Sequence, residues 1–515
     1  MMRSFILFSF LFLLSTSVWA EEVDTFKLNE PSHFSESEID VTLVEDAELT
    51  AEQLKERDRH NQTIFQEGYA LFNDEDYLEA ANVLYDFIDR TDPDTKNNDW
   101  AQFFVGISLD QLGYSHASVD TLSHLLKVKP NPKIVAFILE MFAAISRTDA
   151  FDRDLVLSEV LSNQDFTFVN KDVANFSHFY QGVNDWKNGL MDWGQEHFDQ
   201  IDPNSYFYFK YLYHKGLYSH SQGNIQQAIN DLSPILGMPD PDAKLLDLTR
   251  WTLARLLYEK GDYKTALKIY KKIETPLVEN ASFLLEQAWN SYRLGDPEKA
   301  MGFLYAFEAP SFDRFFTPEF YILKSFIYKD VCHYEAAFSV VDQFQSRYGT
   351  ALSAIYDRKG AADQESFEIL QVILLKEPIN RVWRFIQLLE KEQKQTVRLG
   401  TGPLADYVNH IYQLQLQQSS KKLKNNVNDE FEKVANNLLK YQEEANLMRY
   451  EIGIDKYQRA ANNHYQAKTK QAAAKQTGVV VFQFQGEFWN DELGNYEVSL
   501  PSKCEESEDW ELFFK

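Results

Sequence analysis

The chain has 515 residues and a formal net charge of −27, with 44% hydrophobic and 15% aromatic residues. That composition supplies a core large enough for up to three domains. The acidic excess excludes the basic footprint that nucleic acid requires and gives no help at an anionic membrane surface.

Met1–Ala20, MMRSFILFSFLFLLSTSVWA, carries one Arg, an apolar run from Phe5 to Leu14 and a small-residue exit. It has the form of a secretory signal peptide cleaved after Ala20, and the apolar run is too short to span a bilayer. No later window is apolar enough for a transmembrane helix, so the expected mature protein is exported, periplasmic and without a direct membrane span. Residues 21–60 are acid-rich and poor in aromatics, an expected linker, mostly disordered, with a helix starting near Thr50 at a capping-box pattern.

A repeating pattern then begins. Gly68, Leu71, Tyr77, Ala80 and Leu84 mark a first unit over 61–94; Gly106, Leu109, Gly113, Leu122 and Pro130 mark a second over 99–132. Residues 133–174 lack the small-residue signature and form an irregularity. Phase returns with Gly182, Gly189 and Phe198 over 175–208, and with Leu212, Gly216, Gly223, Ala228 and Leu232 over 209–242. The next two units are in strict register: Gly261 and Gly295 stand 34 residues apart, each followed by Asp, with Ala254 and Ala266 answered by Ala288 and Ala300. A last unit begins at Pro318, with Cys332 in the turn slot that glycine holds elsewhere. A 34-residue period with small residues at its eighth and twentieth positions resembles the tetratricopeptide repeat (TPR). Two antiparallel helices approach closely at the small residues, and the hairpins stack because one alone cannot bury its apolar face.

Beyond 349 the phase is lost. Residues 350–475 are expected to form long helices, broken at Pro378 and at Thr401-Gly402-Pro403. Phe431, Val434, Leu438, Tyr441, Ala445, Met448 and Ile452 form a heptad stripe. The stripe serves either a fold-back onto the preceding helices and repeats or a coiled coil with a partner chain. Residues 478–504 carry two strand-like runs, Val479–Phe484 and Tyr496–Leu500, with Gly486 and Gly494 between them, and predict a small antiparallel β-hairpin. The tail 505–515, EESEDWELFFK, is acidic and aromatic, either frayed or a docking peptide. The expected fold class is therefore all-α: a TPR-like α-solenoid over 61–349, then long helices and a small C-terminal β-hairpin.

No motif of nucleotide binding, metal binding or nucleophilic catalysis is present. The expectation is a non-enzymatic protein without cofactor or metal. In a TPR array the first helix of each repeat lines the concave face through positions two, five, nine and twelve. Those positions hold Phe179, Trp186, Tyr213, Trp251, Arg255, Tyr258, Trp289 and Tyr292, with His220 and Phe326, the aromatic composition of a protein or peptide interface. The Lys and Asn of the TPR carboxylate clamp are replaced by Tyr213, Trp251 and Leu217, so that specificity is not expected.

Two cysteines, Cys332 and Cys504, are too few for a disulfide scaffold; in an oxidising compartment they are either bridged or two unrelated thiols. A bridge would fold the C-terminal region back onto the last repeat. The run FYILKSFIYKDVCHYEAAFSVVDQF, followed by long helices and FQFQGEFWNDELGNYEVSLPSKC, resembles large periplasmic TPR proteins of gliding and predatory proteobacteria. That resemblance implies a scaffold bound to other envelope proteins, as in gliding-motility machinery. An exported chaperone or peptide-binding protein and a regulator of peptidoglycan enzymes are the alternatives. Oligomeric state is not legible.

Overall fold

The computed structural model describes residues 51–128, 130–146, 161, 169–239, 242–274, 281–313, 315–357, 370, 373–374, 376, 379–465 and 493–504. The signal-peptide segment, the linker up to residue 50 and the tail 505–515 lie outside them, as do most of 147–168 and 358–378.

Among the described residues the regular elements are helical. They are α1 (Ala51–Asn73), α2 (Tyr77–Arg90), α3 (Asn98–Gln111), α4 (Ser115–Lys127), α5 (Pro132–Ile145), α6 (Lys171–Lys187), α7 (Met191–Phe198), α8 (Tyr206–Ser221), α9 (Ile225–Leu232), α10 (Ala243–Glu259), α11 (Tyr263–Tyr270), α12 (Ala281–Arg293), α13 (Pro297–Ala306), α14 (Pro318–Asp330), α15 (Tyr334–Tyr356), α16 (Ile379–Gln395) and α17 (Pro403–Tyr465). None of these helices is long and apolar enough to cross a membrane.

Seven hairpins share one turn. A left-handed residue follows the first helix of each: Glu75, Gly113, Gly189, Gly223, Gly261, Gly295 and Cys332. In every case its N–H bonds to the carbonyl three residues back, and the next N–H to the carbonyl five residues back, as in Gly261 N to Tyr258 O and Asp262 N to Leu257 O. This is the Schellman closure of a helix C-terminus. The Gly-Asp dipeptide divides the work: Gly261, at φ +88°, reverses the chain, and the Asp262 carboxylate accepts from Thr265 N to cap the next helix. The close approaches recur as regularly. Gly68, Gly106, Gly182 and Gly216 each face the large residue sixteen positions on, and a Cβ on Gly106 would stand 2.5 Å from Leu122. Ala254 and Tyr270, and Ala288 and Leu304, hold the same two slots, all four side chains buried.

The chain divides into two compact units. One comprises residues up to 240 with 389–414; the other comprises 241–388 with 415 onward. In the first, the end of α16 and the start of α17 pack on the second helices of the first two hairpins. Tyr407 stacks on Tyr85 at 5.0 Å and its hydroxyl lies 3.1 Å from Thr121 Oγ1. Glu392, buried, accepts from Tyr412 OH at 2.6 Å and His116 N at 3.1 Å. Burial raises its carboxyl above the ordinary range.

In the second unit, Val434, Leu438, Ala445, Met448 and Ile452 of α17 are buried in one apolar cluster with Ile322 of α14 and Tyr334, Ala337, Val341, Phe344 and Tyr348 of α15. The heptad stripe thus covers, within its own chain, the apolar end that the last hairpin of a stacked array leaves open. Ion pairs flank it: Lys329 to Glu451 at 2.6 Å, and Arg449 with Asp342.

The C-terminal β-hairpin is not what the structure holds. Its first run, Val479–Phe484, lies outside the described residues; the second, Tyr496–Leu500, is not a strand, and no strand occurs among the described residues. Residues 493–504 instead form an irregular strap across α13 and the last turn. Val498 N donates to Glu298 O and Lys503 N to Val331 O, and Cys504 is disulfide-bonded to Cys332, with Cα atoms 5.1 Å apart. The helix offers the strap backbone partners, so its alternating pattern is satisfied without a second strand.

Candidate protein-interaction surface

The first-helix positions divide into two kinds of environment. In the second unit they are polar, and Trp251, Arg255, Trp289 and Tyr292 each reach a carboxylate on the next first helix. Trp251 Nε1 donates to Glu286 Oε2 at 2.8 Å, and Arg255 Nε donates to Glu286 Oε1 at 2.9 Å while its guanidinium lies 4.0 Å over the Trp251 ring. Tyr270 OH completes the set at 2.5 Å, and burial with the nearby Glu286 charge holds that hydroxyl far above the usual tyrosine range. Glu286 is 5% exposed, so its charge is matched inside the protein rather than by water.

The pattern repeats one hairpin on. Trp289 Nε1 donates to Glu319 Oε1 at 2.8 Å, and Tyr441 OH of α17 to Glu319 Oε2 at 3.4 Å. Burial pushes the Glu319 carboxyl up to about 7, against the lowering effect of the Trp289 hydrogen bond. Tyr292 OH donates to Asp330 Oδ2 at 2.9 Å, and its ring meets Phe326 edge-on at 5.6 Å. Tyr258, half-buried, packs against Tyr263 at 5.1 Å and hydrogen-bonds Arg293.

In the first unit, Phe179 and Trp186 are buried packing residues. Phe179 lies among Tyr180, Phe207 and His214, and Trp186 lies against Phe198 with Nε1 donating to Met191 O at 3.1 Å. Neither presents a surface. Position counting places a residue on a helix face but is blind to the neighbouring hairpin that covers it. Tyr213 is half-buried, edge-on to His214.

The same counting, applied from Asn61 and Asp99, finds residues that the sequence reading passed over: Phe65, Tyr69 and Phe72 on α1, Trp100 and Phe103 on α3. Their rings form a continuous contact chain. Tyr69 meets Phe104 at 5.2 Å, Trp100 meets Phe104 at 5.7 Å, and Phe103 meets Phe137 of α5 at 6.0 Å. Tyr69 is 43% exposed and Phe137 48%, so the chain of rings is open at these two, while Phe103 and Phe104 between them are buried. Among the described residues no group of three His, Cys, Asp or Glu side chains is placed to hold a metal ion.

No protein-family model matches the chain, and no curated protein does. It is similar to a solved tetratricopeptide repeat protein from Parabacteroides merdae, at 13% identity and TM-score 0.24, over 62% of this chain and 99% of that one. It is also similar to the TPR domain of P58(IPK), at 12% identity and TM-score 0.20, over 76% and 99%.

Proposed function

We propose that the chain is a non-enzymatic scaffold that binds protein partners through the first-helix faces of its hairpins. It works outside the cytoplasm, in an envelope assembly of the kind that gliding-motility machinery represents. One observation carries the binding reading: on the α1–α3–α5 face a chain of ring contacts through the buried Phe104 and Phe103 ends in two large exposed rings, Tyr69 and Phe137. Rigid aromatics with a polar surround are the composition of interface anchors. The disulfide supports export, since such bonds persist in oxidising compartments, and the form of Met1–Ala20 agrees with it.

The test is affinity capture of the tagged full chain from crosslinked envelopes, with a Tyr69→Ser/Phe137→Ser variant alongside. Both side chains are about half in solvent, so the variant keeps its thermal midpoint within a few degrees. A small, reproducible partner set that falls at least tenfold in the variant supports the scaffold. An unchanged set removes this face from consideration. A broad spectrum of unfolded clients makes the protein a chaperone instead.

A further inference from the structure

The strap over the last two hairpins is held by contacts that are weak one by one. Leu500 N donates to Glu298 Oε1 at 3.1 Å, and Glu497 meets Lys299 at 3.7 Å with its side chain 68% exposed. The seat is nonetheless specific: a Cβ on Gly302 would stand 1.9 Å from Tyr496 O, so the strap lies directly on helix backbone, and its own Leu493 and Leu500 are buried. The apolar cluster joining α14, α15 and α17 contains no strap residue. Arg459 of α17 donates to Lys503 O and Cys504 O, so lifting the strap releases these bonds while the apolar packing of the last hairpin against α17 remains.

One covalent bond closes this assembly, and its two sulfurs are not equivalent. Cys504 is exposed. Cys332 is half-buried against the apolar cluster, in the left-handed turn conformation that glycine holds in five sister turns. An incoming thiolate reaches Cys504.

We propose that Cys332–Cys504 is a thiol–disulfide exchange site through which a dithiol reductant, free or carried by an oxidoreductase, sets whether the strap is closed over α13. The reductant's thiolate attacks Cys504 Sγ, and a new S–S bond forms as the old one breaks. The electron pair leaves on Cys332 Sγ, which takes a proton. The reductant's second thiol then attacks the mixed disulfide, leaving Cys504 as a thiol and the reductant as its own disulfide. Two electrons and two protons pass to the protein. The open state uncovers Gly302, Lys299 and the α13 backbone; reoxidation closes it.

Amide exchange of the full chain, followed with and without dithiothreitol under native conditions, tests this. The amides of Val498, Leu500 and Lys503 are expected to exchange at least tenfold faster after reduction and to recover on reoxidation, while α14 and α15 stay protected. Cys504→Ser, changed at an exposed position, should match the reduced protein with or without reductant. A thioredoxin-type oxidoreductase lacking its resolving cysteine should be trapped on Cys504. Equal strap protection in both redox states, trapping on Cys332, or resistance of the bond to dithiothreitol until the chain unfolds would each overturn the proposal.

Discussion

The Glu286 carboxylate collects three side-chain donors from the two helices of the preceding hairpin, Trp251 and Arg255 on α10 and Tyr270 on α11. That arrangement changes what Trp251 is for. Truncation to Ala removes the ring stacked on Arg255 and a donor to a buried charge, a loss of about 2–4 kcal/mol. Trp251→Phe keeps most of the apolar contact and loses only the indole N–H, about 1–2 kcal/mol. Urea unfolding of the two variants should rank them in that order; equal midpoints would show that water replaces the donor at no cost.

Glu319 gives a pH signature. Its folded carboxyl lies near 7, above the ordinary value of 4.5, with burial as the main cause. The stabilisation linked to its protonated form is full below pH 4.5 and is lost as pH rises through 7. Glu319→Gln mimics the protonated state. Its unfolding free energy relative to wild type should therefore rise between pH 5 and pH 8, by on the order of 2 kcal/mol. A difference that stays flat across this range would mean that Glu319 remains ionised throughout.

At the scale of elements, α17 substitutes for a further repeat. Leu438 is fully buried in the cluster with α14 and α15, and Leu438→Ala should cost about 2–4 kcal/mol in unfolding free energy. A loss under 0.5 kcal/mol would show that the helix only rests on the last hairpin. The hairpins themselves were legible because two local demands leave marks in sequence. A left-handed turn selects glycine, and a close helix approach selects Gly or Ala. Even Cys332 could be placed, since its slot is set by the same period. The strap was not legible. Its seat, Gly302 beneath Tyr496, joins residues far apart along the chain, and alternation in 496–500 looks the same whether a strand or a helix supplies the partner. The proposed interaction face was half legible: the position rule reaches Tyr69 and Trp100, but it cannot see that Phe179 and Trp186 are roofed over by α7 and α8.

For the molecule as a whole, charge and covalent closure act together. A net charge of −27 favours solubility and selects against polyanions. The disulfide spans 172 residues, a closure that the chain-entropy model values at roughly 4–5 kcal/mol less any strain. Partners are proposed to sit on the first-helix faces. Site-specific photocrosslinking in the full-length chain tests this placement most directly, with the crosslinking residue placed in turn at Tyr69 and Phe137 and, as a control on a second helix, at Lys268. The same few discrete adducts are expected from Tyr69 and Phe137, and none of them from Lys268. Adducts from Lys268 alone, or the same adducts from all three positions, would contradict this placement.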